Sequence, residues 1–122
     1  MERGEKVQAG TLKVSESVIA TIARLATIEV AGVESLTNAN STFKNVFLKQ
    51  SENDAIKVRL AGDVVEISIS ILVKFGHKVV VISEQIQNNV KASVQSMTGV
   101  AVARVNVSIA GVVFDDVSSD NN

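Results

Sequence analysis

His77 is the only histidine in the chain and directly follows a glycine, a placing from which an imidazole could act as a base or bind a metal. Either role needs company. A catalytic base requires a positioned partner, and zinc takes three or four ligands. The chain contains no cysteine, which removes thiolate catalysis, disulfides and cysteine metal sites, so His77 reads as a loop residue. Asp115 and Asp116 could pair as acid and base or hold a divalent cation. They open the small acidic stretch DDVSSDNN, however, where groups cannot be held in place, and they read as a solvated terminus. Glu29 continues a helical stripe of Val18, Ile22 and Leu25 towards a helix C-terminus, where negative charge is disfavoured. It should be exposed by local unwinding or paired with Arg24 or Arg104. Asn106, flanked by valines, should face away from the core as a surface amide or a contact to a neighbouring subunit. No catalytic residue, metal ligand or cofactor-binding residue is predicted.

The elements that must position these groups follow from composition and period. A chain of 122 residues fits one domain, expected over 10–114, with residues 1–9 and 115–122 as flexible tails. Apolar residues supply 46% of the chain and aromatics only 3%, so the core has to be aliphatic. Lys and Arg number 12 against 13 Asp and Glu, which gives no long-range attraction for nucleic acid or anionic lipid. The opening MERGEKVQAG has no signal-peptide core, and no apolar run approaches the roughly 18 residues that span a bilayer. A cytoplasmic location without direct membrane insertion is expected.

Residues GTLKVS offer a short strand with Leu12 and Val14 on one face. Ser15 is placed to cap a helix carrying Val18, Ile22, Leu25 and Ala26, and Glu16 in its first turn suits the dipole. That helix should stop near Ala31 and Gly32, and VESL follows as a brief strand. The clearest local signal is AIKVRLAGDVVEISISILVKF, two alternating runs about Gly62 and Asp63. A two-residue turn there sets Leu60 against Val65, Val58 against Ile67 and Ile56 against Ile69 on one face. The same register sets Arg59 against Glu66 on the other. Gly76 ends the hairpin, and a second helix carries Ile86, Val90, Val94 and Met97. Its start is open, since VVVI (residues 79–82) is β-branched and could prolong a strand, with Ser83 as a cap after it. After Thr98 and Gly99 the period changes from helical to alternating. The final strand, 101–113, places Val105, Val107, Ile109 and Val113 on one side and Arg104, Asn106 and Ser108 on the other.

The segments VSESVIATIARLATIEVAGV and VISEQIQNNVKASVQSMTGV echo one another, matching Val18 with Ile86, Ile22 with Val90 and Ala26 with Val94. Gly99 thereby takes the part of Gly32, a helix stop feeding a strand. The predicted fold is α+β: a two-layer domain with two main helices on one face of a mostly antiparallel sheet, built from pseudo-duplicated strand-helix-strand units.

At this level the sequence resembles the bacterial alkaline shock protein family of envelope stress response proteins. The motifs that carry the resemblance are Phe75-Gly76, Gln87 with Val90, Met97-Thr98-Gly99, Val105-Asn106-Val107 and Gly111-Val112, joined by GTLKVSESVIATIARLATIEVAGV around Gly32. Together they cover most of residues 10–114. The resemblance implies a small cytoplasmic, non-enzymatic protein of the kind found mainly in Gram-positive bacteria and their relatives. Its members are linked to envelope stress and lipid metabolism, and some self-associate and sit at the membrane through a membrane-anchored partner. It implies no cofactor, and no nucleic acid is expected as a partner.

Two other readings stand beside it. A KH-like nucleic-acid module would need a GxxG loop and a basic face, neither of which is evident in the sequence. A small-molecule or lipid-metabolism accessory protein would leave little trace. The candidate interface is FKNVFLK, residues 43–49, where Phe43, Val46 and Phe47 fall on one helical face and two of the chain's four phenylalanines are spent. It either docks on another subunit or envelope partner, or caps an open end of its own sheet.

Overall fold

The computed structural model describes residues 12–37 and 55–114. Among them are two helices and four strands in the order α1 (Glu16–Ile28), β1 (Val33–Leu36), β2 (Ile56–Ala61), β3 (Val64–Lys74), α2 (Val79–Thr98) and β4 (Ala101–Val113). β3 occupies the centre because it carries a long, unbroken alternation. Val65, Ile67, Ile69, Ile71 and Val73 are all at most 1% exposed, so this strand needs neighbours on both edges and cover on one face.

One edge of β3 is taken by β1 and β2 placed end to end, both antiparallel to it. Leu36 pairs with Ile71, the Thr37 N–H donates to the Ser70 carbonyl, and Ile56 pairs with Ile69. The chain therefore leaves at Thr37 and rejoins at Ile56 what is in effect a single strand line. The hairpin register is as expected from the sequence, from Leu60 against Val65 to Ile56 against Ile69, with Arg59 opposite Glu66.

The other edge of β3 is taken by β4, parallel and paired along its whole length from Val64 against Ala101 to Lys74 against Val113. Two of the three pairings are thus antiparallel and the longest is parallel. A parallel neighbour cannot be reached by a tight turn, and α2 is the crossover that reaches it. Both helices lie on the face presented by Val65 to Val73, so the domain is a two-layer α+β sandwich, and among the described residues no element covers the other sheet face.

Several local expectations are corrected. Residues 12–15 form no strand; Leu12 is exposed, while Val14 packs against the core. The pseudo-duplication is therefore seen as helix followed by strand, α1 with β1 and α2 with β4. On α1, Ser15 does cap, accepting from the Val18 N–H at 3.2 Å, but the buried stripe is Ile19, Ile22, Ala23, Ala26 and Thr27. Val18 and Leu25 are half exposed because the helix is turned so that they lie off the face that packs into the core. VVVI opens α2 rather than extending β3, with Lys78 as N-cap and no side-chain cap bond, so Ser83 lies inside the helix. The buried stripe of α2 accordingly starts one turn early, at Ile82, and runs through Ile86, Val90 and Val94, while Met97 is 70% exposed.

The last correction concerns β4. It spends 13 residues against 11 in β3, and the register slips at Ala103 and at Ala110. The second slip moves Val113 from the helix side to the open face, opposite Lys74, and brings Val112 level with Val73.

This packing gives a direct contrast. Val90→Asp places an unpaired charge in the core and should cost more than about 3 kcal/mol, whereas Met97→Asp should stay within about 0.5 kcal/mol of the parent. Urea denaturation midpoints of the two variants check the helix face.

Candidate interaction surfaces

α2 is fastened to its neighbours by four polar side chains. Asn89 Nδ2 donates to the Ala26 carbonyl at 2.7 Å, satisfying one of the carbonyls left open at the end of α1, and also to Glu29 Oε1 at 3.3 Å. Glu29, the C-cap of α1, is thus exposed and paired, but its partner is Asn89 and not Arg24 or Arg104. On the other side, Gln87 Nε2 donates to the Val105 carbonyl and Gln95 Oε1 accepts from the Val102 N–H at 3.0 Å. These two glutamines hold the first half of β4. Thr98 locks the corner between α2 and that strand, donating to the Val94 carbonyl and accepting from the Val100 N–H.

The motif glycines have structural tasks. Gly99 is the left-handed C-cap of α2, φ 78°, with its N–H donating to the Gln95 carbonyl. Gly32 has φ 97°, and a Cβ there would stand 2.7 Å from Ile82 and 2.9 Å from His77 Nδ1. That contact is what His77 does: its exposed ring lies against the Gly32 backbone where α2 meets β1. Gly76 lies in the turn between β3 and α2, and Gly111 sits under Leu72 on the open sheet face. Among the described residues no group of three or more His, Asp or Glu is close enough to hold a metal. Asp115, Asp116, Phe43, Val46 and Phe47 lie outside the described residues.

The uncovered sheet face is polar. Asn106 faces it, as expected, with Nδ2 3.4 Å from Ser68 Oγ. Arg59 forms a 2.8 Å ion pair with Glu66, and Arg104 lies 3.9 Å from the same carboxylate. The hydrogen bond from Arg59 holds the Glu66 carboxyl below its ordinary range, and Glu66 in turn raises the arginine. By register Lys57 and Lys74 share this face with Arg59 and Arg104, four cations against Glu66 and the exposed Glu34 at the β1 bulge. The near-zero net charge of the chain concealed this concentration.

Exposed apolar groups gather at the two ends of the layers. Phe75 and Phe114, at the ends of β3 and β4, stack with ring centroids 4.7 Å apart yet stay 65% and 64% exposed. The exposed valines of the first turn of α2, Val79 to Val81, belong to the same end, as does Val112. At the opposite end Leu12, Val14, Val18, Ile22 and Met97 line an apolar cleft of about 380 Å³. A second cleft of about 330 Å³ lies between α1 and β2, lined by Glu16, Thr21, Arg24, Ile56 and Val58. Sequence reasoning missed the Phe75–Phe114 stack and the Asn89 and Gln95 bonds, because their partners are brought together by the fold and carry no shared local pattern.

A protein-family model, that of the alkaline shock protein family with cell envelope-related function, matches residues 4–114. The chain belongs to that family. It is similar to two uncharacterised proteins of Bacillus subtilis (strain 168). With YqhY it shares 29% identity over 112 residues, 91% of this chain and 83% of the relative. With YloU it shares 26% over 110 residues, 88% and 92%. The uncharacterised protein Spy1535 of Streptococcus pyogenes is 30% identical over 114 residues, 87% of this chain and 81% of that one. Among solved structures, two variants of MamM-CTD superpose with a TM-score of 0.50 at 16% identity. They cover 80% and 84% of this chain and 99% and 100% of their own. That likeness is one of fold: an α+β domain. Membership in the envelope-related family replaces fold as the guide to function. No helix among the described residues is long and apolar enough to cross a membrane.

Asn89→Ala leaves an α1 carbonyl and Glu29 without their donor, and should cost about 1–2 kcal/mol in thermal or chemical unfolding. Asn88→Ala, on the solvent side of the same turn, should change stability by less than about 0.5 kcal/mol.

Proposed function

We propose that this member of the alkaline shock protein family is a non-enzymatic envelope-homeostasis and stress-response protein that works through protein contacts and self-association. It acts from the cytoplasm and meets the membrane through a membrane-anchored or envelope-related partner. The observation that carries the reading is the stacked Phe75–Phe114 pair, two large rings packed on each other yet left open to solvent beside exposed valines. Contiguous apolar surface of this kind marks a place where another molecule rests. Phe43, Val46 and Phe47 are proposed as a second contact, because the sequence spends two phenylalanines there beside lysines.

The polar sheet face favours one alternative, a nucleic-acid contact, since Lys57, Arg59, Lys74 and Arg104 share it. Against this, among the described residues the face carries no aromatic side chain on which a base could stack.

Purification of the tagged full chain from its own cells separates these readings. Stoichiometric recovery of envelope or lipid-synthesis proteins supports the first, and co-purifying RNA in their place supports the second. Paired replacement of Phe43→Ser and Phe47→Ser should reduce oligomer mass or partner recovery with an unchanged melting temperature. A lowered melting temperature with unchanged assembly would mean that the segment caps its own sheet.

A further inference from the structure

Among the described strands β4 lies at an edge of the sheet, and its two halves are treated differently. α2 reaches over the first half, where Gln95 accepts from the Val102 N–H and Gln87 donates to the Val105 carbonyl. Val102 and Val105 are correspondingly buried, at 4% and 7% exposure. Between Val107 and Val113, among the described residues, no side chain hydrogen-bonds to the backbone of the outer edge, in contrast to Val102 and Val105, and no described strand pairs with it. Val107 and Ile109 are only partly buried, and Val112 and Phe114 are exposed. Proline, which blunts many natural edges, is absent from the chain, and no lysine stands on β4.

We propose that two copies of this chain pair through the second half of β4, edge to edge and antiparallel, about a two-fold axis between Ile109 and Ala110. This rests on the self-association reading and gives it a surface. The register follows from the bulge at Ala110, which reverses the facing of the residues after it. With the axis there, Val107 of one copy meets Val112 of the other, and Val105 meets Phe114, all four on the helix side. Asn106 meets Val113 and Ser108 meets Gly111 on the open face. A slip of one residue would set helix-side residues against open-face residues throughout.

The backbone supports the same register. The Phe75 N–H donates to the Val113 carbonyl at 2.9 Å, so Val113 turns its polar groups inward to β3, and its neighbour Val112 turns them outward. The Val105 carbonyl already points outward, since Gln87 reaches it from α2, and alternation puts Val107 outward as well. Val107 and Val112 can therefore exchange both backbone bonds across the seam, and symmetry forms that pair twice. The helix layers of the two copies come to lie on one side of a continuous sheet. Phe114, open in the isolated chain, then rests beside Val105 of the other copy.

The lack of native cysteine makes the test clean. Asn106→Cys and Val113→Cys are prepared as separate single variants, mixed and mildly oxidised. Opposed residues of a non-hydrogen-bonded antiparallel pair stand about 4.5 Å apart between Cα atoms, within disulfide reach, whereas like residues in the proposed dimer stand roughly 20 Å apart. The mixture should give a disulfide-linked dimer and each variant alone should not. Sedimentation keeps the two levels of the proposal apart. Self-association without cross-linking of the mixture overturns the β4 seam and leaves self-association standing; a chain that stays monomeric at every concentration overturns both. Val112→Pro supplies a second check, because proline is tolerated on an edge strand where its missing N–H faces outward. Dimerisation should weaken at least roughly tenfold, as one bond is lost twice by symmetry, while the circular dichroism spectrum stays that of the parent. Equal affinity in a folded Val112→Pro chain would refute the register.

Discussion

The alternation of β3 is the constraint on which the rest depends. Five β-branched side chains point the same way from one strand, and no single helix can cover all of them. Two helices are therefore laid across the same face, and strands are needed on both edges to use the backbone groups of an 11-residue segment. β1 and β2 divide one edge between them as two pieces of one antiparallel line. The other edge falls to β4, and its parallel direction makes α2 a crossover that runs from one end of the sheet to the other.

That placement decides where polar and apolar groups end up. α2 runs back over β3 and β4, so its middle meets the end of α1, where Asn89 bonds to Ala26 and Glu29, and its flank meets the first half of β4. Its first turn overhangs the far end, where the second half of β4 and the Phe75–Phe114 pair emerge with little cover. Several of the motif residues that carry the family resemblance fall into this scheme as structural parts. Gly99, Thr98 and Gly32 shape the corners, and Gln87 fastens the strand, leaving function to the surfaces that the corners hold open.

Much of this could be read from residues alone, and the failures have physical causes. The Gly62–Asp63 hairpin was legible in full because turn chemistry, alternation and the Arg59–Glu66 pair all pointed to one register. Ser15 and Gly99 were legible as caps because residue type and the change of period agree there. The α1 stripe was misplaced because two sets of residues, one with Val18 and Leu25 and one with Ile19 and Ala23, both recur at helical spacing, and packing against the sheet chose between them. VVVI suits a strand by propensity, yet tertiary position makes it helix. The bulges of β4 carry no signature beyond an alanine, so the facing of Val113 was lost with them. Of the candidate sites, His77 was legible as a loop residue and Asn106 as open-face, whereas the exposed aromatic pair required two strand ends that only the fold brings together.

The proposed function is one of contact with other molecules, and the half-guarded edge of β4 is where that proposal is most exposed. Amide hydrogen exchange along β4, followed at rising protein concentration, tests it most directly. A β4 seam predicts that the Val102 amide, already held by Gln95, keeps constant protection while the outward amides of Val107 and Val112 become protected as concentration rises. Protection of those two amides that is already complete in the dilute monomer, or that never changes while the protein self-associates, would contradict it.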